Sequence, residues 1–138
     1  MLQQRTIMIN NRPTDAYRKQ SALTATGVDL IVMLYDALKK NIILARRGIE
    51  KKNISESHNH LMKAQLIVTE LINCLDMSYP ISSELLALYD YMLENLKNAN
   101  LKKETEYLEP VLEMVNDLRS AWFEVSQGNR GTVELEEV

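Results

Sequence analysis

Two histidines, His58 and His60, are the first residues to weigh, because imidazole most readily binds a metal or moves a proton near neutral pH. They stand two apart. On a helix that spacing points them in different directions, so they make a poor metal pair. No Glu-x-x-His occurs in the chain, so the di-iron signature of helical bundles is missing. There is no glycine-rich phosphate loop. The single cysteine, Cys74, excludes an intramolecular disulfide and a multi-cysteine metal site. Its neighbours Leu71, Ile72 and Leu75 are apolar, which predicts a small core residue rather than a nucleophile. These residues offer little for nucleophilic or acid–base catalysis; no catalytic residue, metal site or cofactor is expected.

One stretch points the other way. His60-Leu61-Met62-Lys63-Ala64 is similar to the His-x-Leu-Lys-Gly signature of histidine phosphotransfer domains. That chemistry needs an exposed histidine on a helix face, a lysine to steady the phosphoryl group and a small residue to admit the partner. Here Met replaces Leu and Ala replaces Gly, and His60 lies early in its helix. Phosphotransfer through His60 is the alternative function; the plainer reading is a solvent-facing histidine near a helix start.

The elements around these residues follow from composition and period. The chain has 138 residues, one domain's worth, and 46% are hydrophobic, enough for a core without staples. Only 4 Gly and 3 Pro argue against an all-β protein, which needs a turn every ~8–12 residues. No apolar run approaches the ~18 residues of a membrane span, and Met1 to Arg12 lacks the apolar core of a signal peptide. The formal net charge of −3 makes electrostatic nucleic-acid binding an unattractive reading. A soluble, cytoplasmic, helical domain is expected.

Four apolar stripes at steps of three or four predict four helices. The first opens at Thr26-Gly27-Val28-Asp29, carries Ile31, Leu34, Leu38, Ile42, Ala45 and Ile49, and ends near Lys51-Lys52-Asn53. The second carries Leu61, Ala64, Val68, Leu71 and Leu75 and stops before Ser78-Tyr79-Pro80. The third is expected to cap at Ser82 or Ser83 and carries Leu85, Leu88, Met92, Leu96 and Ala99. The fourth carries Leu108, Val111, Val115, Leu118, Trp122 and Val125, which predicts a largely buried Trp122. Pro110 requires that this helix begin near Leu108 or bend there. The connections are short, so neighbours should pack antiparallel. The predicted fold is all-α: an antiparallel up-down-up-down four-helix bundle over residues 26–127, an N-terminal arm over 1–25 and a disordered acidic C-terminal tail over 128–138. Lys39, Lys40, Arg46, Arg47, Lys51 and Lys52 close the first helix, and Glu104, Glu106, Glu109 and Glu113 open the fourth. In this topology the two sets share one end and should face each other.

The informative feature is surplus apolar surface. Val28, Leu30, Ile31, Val32, Met33, Leu34 and Tyr35 make the first helix apolar nearly all round, which calls for burial on more than one side. Leu30, Met33 and Ala37 form a second stripe beside the first. Tyr91 lies off the core stripe of the third helix and Tyr89 at its edge; Met114, Ala121 and Tyr107 line one flank of the fourth. Met and Tyr are favoured on adaptable binding surfaces. The expected groove is Leu30, Met33, Tyr35, Tyr89, Tyr91 and Met114, for an apolar helix of a partner or for the chain's own arm. Ile7 and Ile9 supply apolar side chains to that arm, and Tyr17 could anchor its return.

Ala16-Tyr17, Leu34-Tyr35, Lys63-Ala64-Gln65, Leu88-Tyr89-Asp90-Tyr91-Met92, Ala99-Asn100 and Leu118-Arg119-Ser120-Ala121-Trp122 follow one another in an order and spacing that resemble the flagellar export chaperone FliS family. The resemblance covers about Ala16 to Gln127. At Thr26-Gly27-Val28-Asp29 the chain departs from the Thr-Pro-Gly-Glu often found there. The resemblance implies a cytosolic chaperone, without enzymatic activity. Such a chaperone grips the disordered C-terminal segment of flagellin, prevents early polymerisation and delivers it to the flagellar type III export apparatus. It further implies an export gate component as a partner, an anti-sigma factor in some members, and an arm lying over the groove.

Overall fold

The computed structural model describes residues 27–131, and side chains as far as Gly128. The described residues form helices with no strand: α1 Gly27–Glu50, α2 Ile54–Asn73, α3 Pro80–Lys102, a 3-10 turn Thr105–Tyr107, and α4 Leu108–Gly131. Leu34–Arg119 is one compact unit and holds the greater part of all four helices; the described residues 27–33 and 120–131 fall in a second.

Within Leu34–Arg119 the helices form an antiparallel bundle, and cross-helix pairs fix its direction. Asn41 meets His60 and Gly48 meets Ser57, so α2 runs back along α1. Asn100 meets His58, so α3 runs back along α2. Asp36 meets Arg119 and Arg46 meets Glu109, so α4 lies antiparallel to α1. The core fills with Leu38, Ile42, Leu61, Val68, Leu71, Met92, Leu96, Leu108, Val111 and Val115, all essentially inaccessible to solvent. Burying each such side chain contributes about 1.5–3 kcal/mol before entropy is counted.

Local chemistry sets the boundaries. α1 stops because Lys52 adopts a left-handed conformation (φ 60°), and the Asn53 amide then donates to the Gly48 carbonyl at 2.8 Å. Asn53 serves a second time as the N-cap of α2: its Oδ1 accepts from the Glu56 amide, and its Nδ2 donates to the Glu56 carboxylate. Lys103 ends α3 as Lys52 ends α1, with φ 55°. α3 begins at Pro80, earlier than the expected Ser82 or Ser83, because proline's fixed φ suits the first helical position. Ser82 is buried instead, and its hydroxyl donates to the Asp76 carbonyl at 2.6 Å. The Ser78 hydroxyl and amide both donate to the Asp76 carboxylate in the same turn, which holds that carboxyl below its ordinary range. Pro110 is accommodated because α4 starts at Leu108, where the first turn's N–H groups have no intrahelical partner to lose.

Other expectations shift. α4 continues through Gly128 to Gly131, past the expected boundary at Gln127; the acidic tail beyond lies outside the described residues. Cys74 is exposed and not a core residue: it is the C-cap of α2, still in helical conformation, and stands about 100° around the helix from the buried stripe. Leu88 is 37% exposed, and Tyr89 takes its place in the seam at 2%. In the second unit Val32 and Ser126 are buried, Leu30 and Met33 are half-buried and Phe123 is exposed. Trp122 is half-buried rather than enclosed, as are Leu118 and Val125 of the same stripe. Of the opposed charges, Arg46 and Glu109 meet at 3.3 Å, with substantial exposure on both sides. Such a pair contributes at most about 1 kcal/mol.

Candidate functional site

Residues of α3 alternate between two duties. At 100° per residue, Leu85, Tyr89, Met92, Leu96 and Ala99 share the inward face, and all are buried. Asn100 looks toward α2, where its amide donates to His58 Nδ1 at 3.0 Å. Leu88, Tyr91 and Asn95 lie on the opposite flank, the side on which α4 completes the bundle. Leu88 and Tyr91 are 37% and 49% exposed. On α4, Arg119 and Glu109 mark the side facing α1. Met114 and Leu118 stand on the other flank, toward α3, and are half-buried. Leu88, Tyr91, Met114 and Leu118 are thus apolar or aromatic side chains that the inward stripes of α3 and α4 leave partly open to solvent.

Tyr35 and Tyr89 do not belong to that surface. Both are buried, and their hydroxyls lie 2.5 Å apart across the bundle. A tyrosine can enter a core when its hydroxyl finds a partner there, so the pair seats two bulky rings and fixes how α1 sits against α3. Burial pushes the Tyr89 phenol above its ordinary pKa, against the opposing effect of its bond to Tyr35. The groove expected from sequence therefore separates. Tyr91 is exposed on α3 and Met114 half-buried on α4. Leu30 and Met33, half-buried on α1, belong to the second unit and are not assigned to the same surface. Ile7, Ile9 and Tyr17 fall outside the described residues. Leu88 and Leu118, which the periodicity had assigned to the core, are partly open to solvent.

His60 is half-buried, and its Nδ1–H donates to Asn41 Oδ1 at 2.9 Å, tying α2 to α1. It is engaged between helices and does not stand clear on a face as phosphotransfer requires. Among the described residues no three His, Cys, Asp or Glu side chains cluster as a metal site. No described helix is long and apolar enough to cross a membrane.

The arrangement offers partly exposed apolar and aromatic side chains on a helical bundle, which suits recognition of another chain. Comparison with known proteins decides the family. The family model for "Flagellar protein FliS" matches residues 9–129. The chain belongs to the FliS family. The FliS flagellar secretion chaperone of Bacillus subtilis (strain 168) is 37% identical over 123 residues, which cover 89% of this chain and 92% of that protein. Its Vibrio cholerae namesake is 31% identical over 116 residues, covering 80% and 85%. The Salmonella typhimurium FliS is 28% identical over 111 residues, covering 78% and 82%.

Proposed function

We propose that this chain is a flagellar secretion chaperone that binds the C-terminal segment of flagellin in the cytoplasm. It prevents premature polymerisation and escorts the segment to the type III export apparatus. Family membership supports the chaperone role, and the partly exposed apolar side chains of α3 and α4 support the mode of binding. A segment that polymerises through apolar stripes becomes helical only against a complementary surface. Leu88, Tyr91, Met114 and Leu118 offer such a surface on a scaffold whose own core is complete without them. Ordering a flexible segment costs free energy, so the full interface should exceed roughly 1,000 Å² and extend beyond these residues; Leu30 and Met33 are proposed as apolar contacts in their own right. Catalysis plays no part in this reading. Release follows from handover to an export gate component, and an anti-sigma factor is a possible second client.

The arm is part of the same proposal. Ile7, Ile9 and Tyr17 cover apolar groove surface until flagellin displaces them, which lowers the apparent affinity by the fraction of molecules left closed. Deleting Met1 to Pro13 is then expected to tighten flagellin binding, and unchanged affinity would remove the arm as a competitor. The observation that carries the main proposal is an exposed apolar flank on a chain of this family. Its test is titration calorimetry of the full chain with a flagellin C-terminal segment. Saturable binding with a negative heat-capacity change is expected; no heat and no co-elution would refute it.

A further inference from the structure

The outward face of α1 carries a surface unlike the exposed apolar side chains of α3 and α4. Asp36, Lys39, Lys40, Ile43, Leu44 and Arg47 line an open depression along it. Ile43 and Leu44 are half-buried at its centre, and Lys39, Lys40 and Arg47 are exposed around them. Two acids beside this strip are committed to other cations. Asp36 accepts two bonds from the Arg119 guanidinium, at 2.9 and 3.4 Å. Glu109 accepts from Arg46. Lys51 and Lys52 extend the positive strip at the end of α1, with Glu50 the nearest acid in sequence. A chain of net charge −3 thus concentrates positive charge around an apolar pair.

Spacing defines what fits. Lys40 and Arg47 are seven residues apart, about two turns or 10.5 Å along the axis, with Ile43 and Leu44 between them. A second helix with acids at i and i+7 and apolar residues at i+3 and i+4 would match charge to charge and apolar to apolar. Nucleic acid or anionic lipid would satisfy the lysines. A phosphate backbone makes no use of an apolar centre, and a lipid surface needs a broad apolar face free to insert, whereas Ile43 and Leu44 are a single half-buried pair. We propose that the outer face of α1 is a second docking surface, taking an acidic amphipathic helix from another protein. Lys40 and Arg47 are its charged rim, and Ile43 and Leu44 its apolar floor. The surface includes none of Leu88, Tyr91, Met114 and Leu118, the α3 and α4 residues proposed for flagellin.

The test uses the full chain and two synthetic helical peptides with the same leucine stripe. One carries glutamates at the flanking positions and the other lysines. Fluorescence anisotropy should show the glutamate peptide binding about tenfold tighter or more, with an advantage that shrinks at high salt. Lys40→Glu with Arg47→Glu should abolish that preference while helical content and affinity for the flagellin segment stay unchanged. Leu44→Ser should weaken the glutamate peptide in both low and high salt. Equal affinity for the two peptides, or a preference that survives the charge reversal, overturns the proposal. So does binding of an oligonucleotide or phosphatidylglycerol vesicles through Lys40 and Arg47 without peptide binding. Because the comparison of the two peptides needs no flagellin, failure here leaves the flagellin proposal standing, and failure of that proposal leaves this one.

Discussion

Tyr89 and Tyr91 are the same residue type, two positions apart on one helix, and they do opposite work. Tyr89 is 2% exposed and hydrogen-bonded to Tyr35 in the core; Tyr91 is 49% exposed at the surface. A helix turns about 200° over two residues, so a single tyrosine-rich block supplies both a core and a surface. The lesson concerns how a bundle can display apolar groups without collapsing onto them. The buried seam has to be complete by itself, closed by Tyr35 and Tyr89, before Leu88 and Tyr91 can be left for a partner. If that separation is real, variants of the seam change stability and variants of the flank change binding.

The largest effect should come from the seam. Tyr89→Ala leaves a cavity where a ring was enclosed and should cost about 3–5 kcal/mol in a denaturant melt. A cost below about 1 kcal/mol would mean that Tyr89 is not the core residue of α3. Gly48→Val comes next. A Cβ at Gly48 stands 2.9 Å from the Ser57 backbone nitrogen and 3.0 Å from its Cα. α1 and α2 would have to separate there, at about 1–3 kcal/mol. An unchanged melting temperature would show that the two helices are not held so close.

The sequence showed this architecture better than it showed this division of labour. Stripes at three- and four-residue steps were enough to place four helices, and Leu38, Ile42, Leu61, Val68, Met92 and Val111 are buried as their period requires. Period alone could not choose between Leu88 and Tyr89, which are neighbours on the wheel. Leucine has the stronger apolar claim, and what overrides it is a hydroxyl partner 54 positions away, at Tyr35. Trp122 misled for a related reason: a heptad sets a register without showing where the facing helices stop covering it. The sequence places the end of α1 near Lys51-Lys52-Asn53 although a lysine, and not a glycine, occupies the left-handed position at 52; the stop of α3, with a lysine at 103, is not marked in it. The α2 cap was legible in Asn53-Ile54-Ser55-Glu56, an Asn-x-x-Glu whose reciprocal bonds the structure contains.

Subtler variants sharpen the contrast. Tyr89→Phe keeps the ring and removes one hydroxyl from the buried pair, at about 1 kcal/mol. Tyr89 also predicts a pH effect. Its folded pKa is raised, so its protonated form contributes stability that is fully present below the ordinary tyrosine value of about 10 and is lost as pH rises through the folded value. Alkaline melts of the parent should therefore fall more steeply above about pH 10 than those of Tyr89→Phe. Parallel curves would place the loss on other groups. The smallest effect expected is a gain. Lys52→Gly relieves a left-handed backbone and should add roughly 0.5–1 kcal/mol, read as a higher melting temperature; a decrease would mean that the lysine side chain contributes more than its backbone costs.

The most direct test of the account is Tyr91→Ala, measured for stability and for binding on the same preparation. Exposed on α3, Tyr91 should cost at most about 0.5–1 kcal/mol of folding stability when truncated. As an aromatic anchor it should cost about 2 kcal/mol or more of binding to the flagellin C-terminal segment, roughly a thirtyfold weaker Kd by calorimetry. A melting temperature close to the parent's with a Kd weakened by that order is the predicted result. An unchanged Kd alongside a large loss of stability would place Tyr91 in the core with Tyr89 and contradict the separation of seam and flank.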